Sequence, residues 1–412
     1  ASFFGNIFAS SNGQSVTETI IITATNISAT IGLYVFGTSL TEGYFDNVSV
    51  KEYLGQEVVP NSGCGSWLLE PQSTNLILQS ENFSDSYWDK SQSSVVGGFT
   101  SPDGENNAYK FIDNSVNTTH KVRTPFNLTA GNQYTLSVFA KKGEKNWIYL
   151  NDTVTSFVYF DLENGVIGTT LNADNYSITE FGDGWYKCTM TTTVSGTARF
   201  AVYLADADNG GAYSGNGTDG VYIYGAQLEQ NSFPTSYIPT QGAASTRLAD
   251  IANNSGNASL INSEEGVLYA EISALANDGL KRSISINDGS SSNRFILRFG
   301  ITDNTIEVVS VSNNTAVLLS SVTVSNTLIS SKVAVKWDSN NYVLYVNGII
   351  ETTKNNLITP LVLNNLDFND GNSGLKPFYG KTKALAVYKT ALTDANLRSL
   401  TYPPAVATTF DL

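Results

Sequence analysis

The feature that most constrains the fold of this chain is a long series of short segments in which apolar and polar residues alternate. Between residues 132 and 229 six such segments follow one another, separated by glycine- and asparagine-rich turns: NQYTLSVFAKK, NWIYLND, SFVYFDL, WYKCTMTTTV, ARFAVYLAD and GVYIYGAQLE. A period of two places alternate side chains on opposite faces of a sheet. Many short strands with frequent turns therefore predict an all-β fold built from antiparallel β-sandwiches.

The charge balance excludes several classes of partner. Only 15% of the 412 residues are charged, against about 25% in an average soluble chain, and the formal net charge is −14. Nucleic acids and anionic membranes both require a basic surface, so neither is an expected partner. The chain also has no run of eighteen apolar residues, which argues against membrane insertion.

Prolines and glycines divide the chain into units. The stretch GAQLEQNSFPTSYIPTQ ends a strand, because Pro234 and Pro239 forbid continued sheet pairing, and Phe233 and Tyr237 are expected to pin this exit against the sandwich. One short helix is predicted near the C-terminus, with Thr393 as its N-cap. The predicted organisation is part of a sandwich at 1–53, a linker at 54–74, a complete sandwich at 75–240, a linker at 241–258, a further sandwich at 259–402 and a tail at 403–412.

Two ordered sets of motifs resemble known domains. WLLEPQSTNLILQSENFSDSYW, GWYKCTM, LADADNGGAYSGNGTDGVYIYGAQLE and FPTSYIPT, found in this order between Trp67 and Asp250, resemble the domain named after phage head spike fibres, which looks like a carbohydrate-binding-module jelly roll. EEGVLYAEI, ISINDGSSSNR, LYVNG and FYGKTKALAVYKTALTD resemble a laminin-G-like, concanavalin-A-like sandwich. GYFDNVSVKEY, within 1–53, resembles the terminal strand of another carbohydrate-binding jelly roll.

The resemblance implies a protein of the phage virion surface, as a head fibre, tail fibre or decoration. Its expected task is adhesion to host or environmental polysaccharide, with other virion proteins as partners. Because phage fibres are commonly trimeric, homo-oligomers are expected. Two alternatives stay open: a purely structural spacer or assembly protein of the virion, and a secreted bacterial carbohydrate-binding adhesin or accessory protein.

Three strands of the complete sandwich suggest a glycan site. Each has one apolar face for the core and an opposite face that mixes aromatic and charged residues. Aromatic rings stack on the apolar faces of sugars, and charged groups hydrogen-bond to hydroxyls. Alternatively, this face is simply a solvent side or packs against a neighbouring domain or chain. The candidate ligand-binding residues are Trp147, Tyr149, Tyr159, Asp161, Arg199 and Tyr203.

Two acidic loops suggest calcium as a possible cofactor. Carboxylates and backbone carbonyls are the ligands that Ca²⁺ prefers. The loop ADADNGGAYSGNGTDG carries Asp206, Asp208 and Asp219, and the loop LDFNDGN carries Asp367 and Asp370. The spacing does not match an EF-hand, and ordinary Asp-Gly-Asn turns are the competing interpretation.

Catalysis finds little support in the residues. No Gly-x-Ser-x-Gly motif occurs, and any catalytic triad would have to use the single histidine, His120. The chain also lacks the Glu-x-Asp-x-x-Glu strand of hydrolases with a concanavalin-like sandwich. We therefore expect a binding protein rather than an enzyme.

Overall fold

The computed structural model describes residues 65–402, except 339–340, 356–359, 361 and 372–373. It also describes the backbone of residues 55–59. The predicted partial jelly roll at 1–53 and the predicted tail at 403–412 lie outside the described residues. The described residues from Gln56 onwards belong to one structural unit.

Almost all regular structure in the described residues is β-strand, which confirms the predicted fold class. In the N-terminal part of this region the strands are β1 Gly55–Val59, β2 Trp67–Leu69, β3 Ser73–Asn75, β4 Asp89–Ser91, β5 Ser93–Phe99, β6 Ala108–Asp113, β7 Asn117–Thr119, β8 Lys121–Arg123, β9 Gln133–Lys141, β10 Trp147–Asn151, β11 Phe157–Asp161, β12 Val166–Leu171, β13 Asn175–Glu180, β14 Trp185–Thr193, β15 Ala201–Ala205, β16 Ala212–Ser214 and β17 Gly220–Glu229. The C-terminal part contains β18 Ser245–Arg247, β19 Glu265–Ala274, β20 Arg282–Asn287, β21 Arg294–Phe299, β22 Thr305–Ser312, β23 Thr315–Thr323, β24 Ser331–Asp338, β25 Asn341–Val346, β26 Ile349–Lys354, β27 Asn365–Asp367, β28 Gly380–Tyr388 and the helix α1 Asp394–Thr401.

The first sandwich consists of two six-stranded sheets. Sheet I has the strand order β12-β11-β10-β15-β8-β4, and sheet II has the order β13-β14-β9-β17-β6-β5. Some neighbouring strands are not consecutive in the sequence, such as β10 beside β15 and β9 beside β17, because the chain crosses from one sheet to the other between them. Apolar side chains from alternate positions of both sheets fill the space between them, among them Ile148, Leu150, Val158 and Phe160 from sheet I and Phe111, Val138, Cys188 and Val221 from sheet II.

The second sandwich has a five-stranded sheet III, β23-β22-β21-β20-β27, and a sheet IV in which β28, β19, β24, β25 and β26 follow one another. Its core contains the fully buried rings of Trp337, Tyr342 and Phe295. The outer face of sheet IV is covered by α1, whose Leu397 is completely buried against this face. Thr393 accepts a hydrogen bond from the backbone N–H of Asn396, which confirms the predicted N-cap.

The two segments predicted as linkers form strands and dock onto the sandwiches. In the first, β1 and β2 pair with β28 of sheet IV, while β3 pairs with β18 from the second segment. β2, β3 and β18 have only three residues each and are too short to show a period of two, so the sequence does not reveal them. The docked segments connect both sandwiches through hydrogen bonds rather than as loose tethers.

The exit from β17 follows the prediction and also contacts the second sandwich. Tyr237 packs edge-on against Phe139, with ring centroids 6.0 Å apart, and Phe233 is buried. The guanidinium of Arg282 lies over the Phe233 ring at 6.0 Å. Ser232 beside it donates a hydrogen bond of 2.8 Å to the Asp278 carboxylate of the second sandwich. The aromatic residues of the exit therefore help to join the two sandwiches.

Candidate functional site

The register of sheet I brings three of the predicted ligand-binding residues side by side. Tyr149 on β10 lies directly opposite Tyr159 on β11 and opposite Tyr203 on β15. All three side chains lie on the face of sheet I that points away from the core, together with Ala201 and Ala205. The shared face that the alternation predicts is therefore present, whereas its role in ligand binding stays a prediction.

The three tyrosine rings stack on one another instead of lying flat on the sheet. The Tyr149 and Tyr159 centroids are 4.5 Å apart with an angle of 18° between the rings, and the Tyr149 and Tyr203 centroids are 4.4 Å apart with an angle of 17°. Both faces of the central ring are thus in contact with a neighbouring ring. The exposure of the three side chains is only 5–7%, so this tyrosine row offers little surface on which a sugar could stack.

The loop predicted to bind calcium covers the tyrosine row. A Cβ atom added at Gly211 would lie 2.8 Å from the hydroxyl oxygens of both Tyr149 and Tyr159, so the loop backbone rests directly on them. Asp208 fastens the loop to β12, since it accepts hydrogen bonds from the Thr169 backbone N–H at 2.7 Å and the Thr169 hydroxyl at 3.0 Å. Burial, and then the nearby Asp208 carboxylate, raise the pKa of Tyr159.

Of the other predicted glycan residues, Trp147 and Asp161 lie opposite each other on the same outward face, and Trp147 packs against the tyrosine row. Asp161 accepts hydrogen bonds from the backbone N–H of Glu163 at 2.9 Å and from the Asn164 side chain at 2.7 Å, and thereby caps the turn after β11. Arg199 precedes β15 and donates to Asn127 at 3.1 Å. Trp147 is half-buried, and a Cβ at Gly168 would lie 2.7 Å from its ring and 2.4 Å from Asp208. The six residues therefore do not line one open surface.

The predicted calcium ligands do not converge on a cation site. In the first loop, Asp208 accepts a hydrogen bond from the Thr169 hydroxyl and Asp219 accepts one from the Thr218 hydroxyl. Asp206 is exposed. Asp367 accepts hydrogen bonds from Asn254 and Asn287. Asp370 forms ion pairs with Lys376 at 2.7 Å and with Arg294 at 3.7 Å. Within the described residues no group of three or more acidic, His or Cys side chains could hold a metal ion, and calcium at either loop stays a prediction.

A groove at the β5–β6 edge of sheet II has the polar chemistry that the tyrosine row lacks. Its volume is about 530 Å³, within the roughly 300–1,000 Å³ of ligand pockets. It lies between three segments that are distant in sequence: 79–82 after β3, the β5–β6 region at 98–109, and the exit at 239–241. We call it the amide groove, because five side-chain amides line it beside Glu81 and Tyr109: Gln79, Asn82, Asn106, Asn107 and Gln241.

Some lining groups of the amide groove are held in place and others are free. The Tyr109 hydroxyl donates a hydrogen bond of 2.9 Å to the Asn82 side-chain oxygen, and the Tyr109 ring packs edge-on against Phe83 at 6.0 Å. Asn106 and Gln241 are exposed, and within the described part of the chain no hydrogen bond engages the Asn106 Nδ2 or the Gln241 side chain. The groove therefore combines a fixed aromatic ring with unused amide donors and acceptors.

A network of tyrosine hydroxyls and carboxylates lies behind the groove and reaches it at Glu81. The Tyr224 hydroxyl lies 2.6 Å from Asp103 Oδ2 and 3.1 Å from Glu81 Oε1. The Tyr237 hydroxyl lies 3.3 Å from the same Glu81 oxygen. Burial alone would raise the pKa of Asp103, but hydrogen bonds, led by those from Ser101 and Tyr224, outweigh it and lower this pKa to about 2. Asp103 is thus held in position behind the groove, next to Glu81.

Sequence reasoning missed the amide groove because no single segment shows it. The residues come from separate segments, and only the packing of the exit beside residues 79–82 and the β5–β6 turn brings them together. One signal was available: the stretch SPDGENN, residues 101–107, concentrates short polar side chains within a single turn region. Such a turn is common in loops of all kinds, so by itself it indicates no ligand.

No family model matches the chain, and no curated protein matches it. Among solved structures, the CBM40 of the Ruminococcus gnavus IT-sialidase bound to α2,3-sialyllactose is 18% identical with a TM-score of 0.31, over 37% of this chain and 95% of that one. The leech intramolecular trans-sialidase complexed with 2,7-anhydro-Neu5Ac is also 18% identical with a TM-score of 0.31, over 37% of this chain and 26% of that one. The SAP-like pentraxin from Limulus polyphemus is 12% identical with a TM-score of 0.27, over 36% of this chain and 72% of that one. Among the described residues, no helix has the length and apolar character needed to cross a bilayer. The chemistry of the chain's own surface has to indicate what it binds.

Proposed function

We propose that this chain is a non-enzymatic protein of a phage virion surface that binds glycans through the amide groove of its first sandwich. The observation that carries the proposal is the lining of the groove: five amides, one carboxylate and one tyrosine around an open volume of about 530 Å³. Adhesion to host or environmental polysaccharide is the task that this surface would serve.

The composition of the groove matches the chemistry of sugars. A sugar ring presents many hydroxyls, each of which both donates and accepts hydrogen bonds. Side-chain amides offer two donors and an acceptor, and a carboxylate offers only acceptors. A tyrosine adds an apolar ring with a polar tip. Shallow sites with a few fixed polar groups around an aromatic ring are suited to such ligands.

The ordered motifs that resemble phage fibre domains support the virion context. The same proposal includes homo-oligomers, with a trimer as the common arrangement in fibres. A purely structural role would leave the groove without a ligand. A secreted bacterial adhesin would use the same groove in another setting. Glycan binding by the isolated chain distinguishes the first alternative from the proposal.

The test is a glycan array probed with the purified chain and with a double variant, Asn106→Ala with Gln241→Ala. Both side chains are exposed, so folding should be unaffected. Since each lost hydrogen bond contributes about 1 kcal/mol, we expect binding at least tenfold weaker. A matched double variant, Gln230→Ala with Asn355→Ala, removes two exposed amides outside the groove and should bind like the wild type. If Trp147→Ala loses binding and the groove variant keeps it, the glycan site lies on sheet I. If the folded wild type binds no glycan, the structural role is favoured.

A further inference from the structure

The amide groove contains a negative charge with no positive partner. Of the lining residues in the described part of the chain, Glu81 is the only charged one, and none is Lys or Arg. Asp103 lies behind Glu81, with the Tyr224 hydroxyl between the two carboxylates. Lys90, which follows residues 79–82 in the chain, directs its ammonium at the backbone carbonyls of Phe83 and Asp85, at 3.2 and 2.8 Å. The field inside the groove is therefore set by carboxylates.

The hydrogen bonds around Glu81 leave most of its accepting capacity unused. Two tyrosine hydroxyls lie near Glu81 Oε1, but each hydroxyl has one hydrogen and a closer acceptor: Tyr224 lies 2.6 Å from Asp103 and Tyr237 lies 2.7 Å from Ser80. Among the described residues no hydrogen bond reaches Glu81 Oε2. A carboxylate accepts at about four sites, so the half-buried Glu81 has accepting positions open to water or to the hydroxyls of a ligand.

These two features determine the class of ligand. Sugar hydroxyls supply donors, whereas a sugar carboxylate supplies only acceptors and a second negative charge. Building on the glycan-binding function proposed above, we infer that the amide groove selects hydroxyl-rich, carboxylate-free sugars and rejects uronic and sialic acids through Glu81.

The size of the discrimination follows from Coulomb's law. Two unit charges about 6 Å apart, at an effective dielectric constant of about 40 for a surface groove, repel each other enough to weaken binding about tenfold. Because part of this interaction crosses solvent, the discrimination should shrink as the salt concentration rises. The net charge of −14 repels anionic glycans everywhere on the surface, so the contribution of the groove has to be separated from that of the whole molecule.

The experiment compares pairs of ligands of which only one member carries a carboxylate. Binding is measured for polygalacturonate and for its carboxyl-reduced form, and on the array for glycan pairs with and without terminal sialic acid. The wild type should prefer the uncharged member of each bound pair about tenfold. Glu81→Gln should lose most of this preference, down to what the net charge of the whole molecule causes, and bind neutral sugars more weakly. Glu180→Gln is the matched control, because Glu180 is exposed on β13, at the opposite edge of sheet II, and its replacement changes the net charge equally.

The outcomes separate the two proposals. A wild type that binds carboxylated members equally well or better overturns the selectivity but leaves glycan binding intact. A preference that persists unchanged in Glu81→Gln also overturns it, because the discrimination then comes from net charge alone. If the folded wild type binds neither neutral nor acidic members, the glycan-binding function fails and the selectivity fails with it.

Discussion

Replacing Tyr149 by alanine distinguishes a structural tyrosine row from a ligand platform. Tyr149 is the centre of the row, 7% exposed, with rings stacked at 4.5 and 4.4 Å on its two faces. Loss of two aromatic pairs removes about 1–3 kcal/mol, and loss of the buried side chain itself removes about 1.5–3 kcal/mol more. The expected loss of unfolding free energy is about 3–5 kcal/mol, as for other buried aromatic residues replaced by alanine.

Native-state hydrogen exchange followed by mass spectrometry measures this loss separately in each sandwich. In Tyr149→Ala, amides of β9 and β14 should exchange faster because the first sandwich is destabilised, whereas amides of β22 and β24 in the second sandwich report any spread of the effect. Tyr176→Ala is the matched control, since Tyr176 lies on the edge strand β13 and is 39% exposed; about 1 kcal/mol or less is expected for such a surface change. A cost for Tyr149→Ala no larger than that of the control would refute the structural interpretation of the row.

Two further predictions concern the loop that covers the tyrosine row and the Asp103 carboxylate behind the groove. Gly211→Ala should destabilise the first sandwich by about 1–3 kcal/mol, because its Cβ would lie 2.8 Å from the Tyr149 and Tyr159 hydroxyl oxygens; adding Tyr149→Phe and Tyr159→Phe should recover part of the loss in urea unfolding, and no recovery would show that the loop does not rest on these hydroxyls. Asp103 has a pKa of about 2 in the folded protein against an ordinary value of 3.8, so its stabilising contribution is complete above the unfolded pKa and is lost as the pH falls through about 2. Between pH 4 and pH 2 the wild type should therefore lose more unfolding free energy than Asp103→Asn, and equal losses would contradict the hydrogen bonding of Asp103.

Local patterns in the sequence determined the fold class, the face of each strand and the helix cap. The alternation in β10, β11 and β15 placed Tyr149, Tyr159 and Tyr203 on one face without any knowledge of their neighbours, because a period of two is a property of the strand alone. In the same way Thr393 caps α1 through a hydrogen bond to Asn396, only three residues away. These features depend on contacts within a strand or a helical turn, which the sequence displays directly.

Tertiary structure alone decided which faces stay open. Alternation separates the two faces of a strand, but it cannot show that Gly211 and its loop fold back over the tyrosine row or that the rings stack on one another. Likewise, the amide groove exists because the exit after β17 lies beside residues 79–82, more than 150 positions earlier in the chain. Burial and pocket formation depend on the packing of segments that are distant in sequence, and no short-range pattern records that packing.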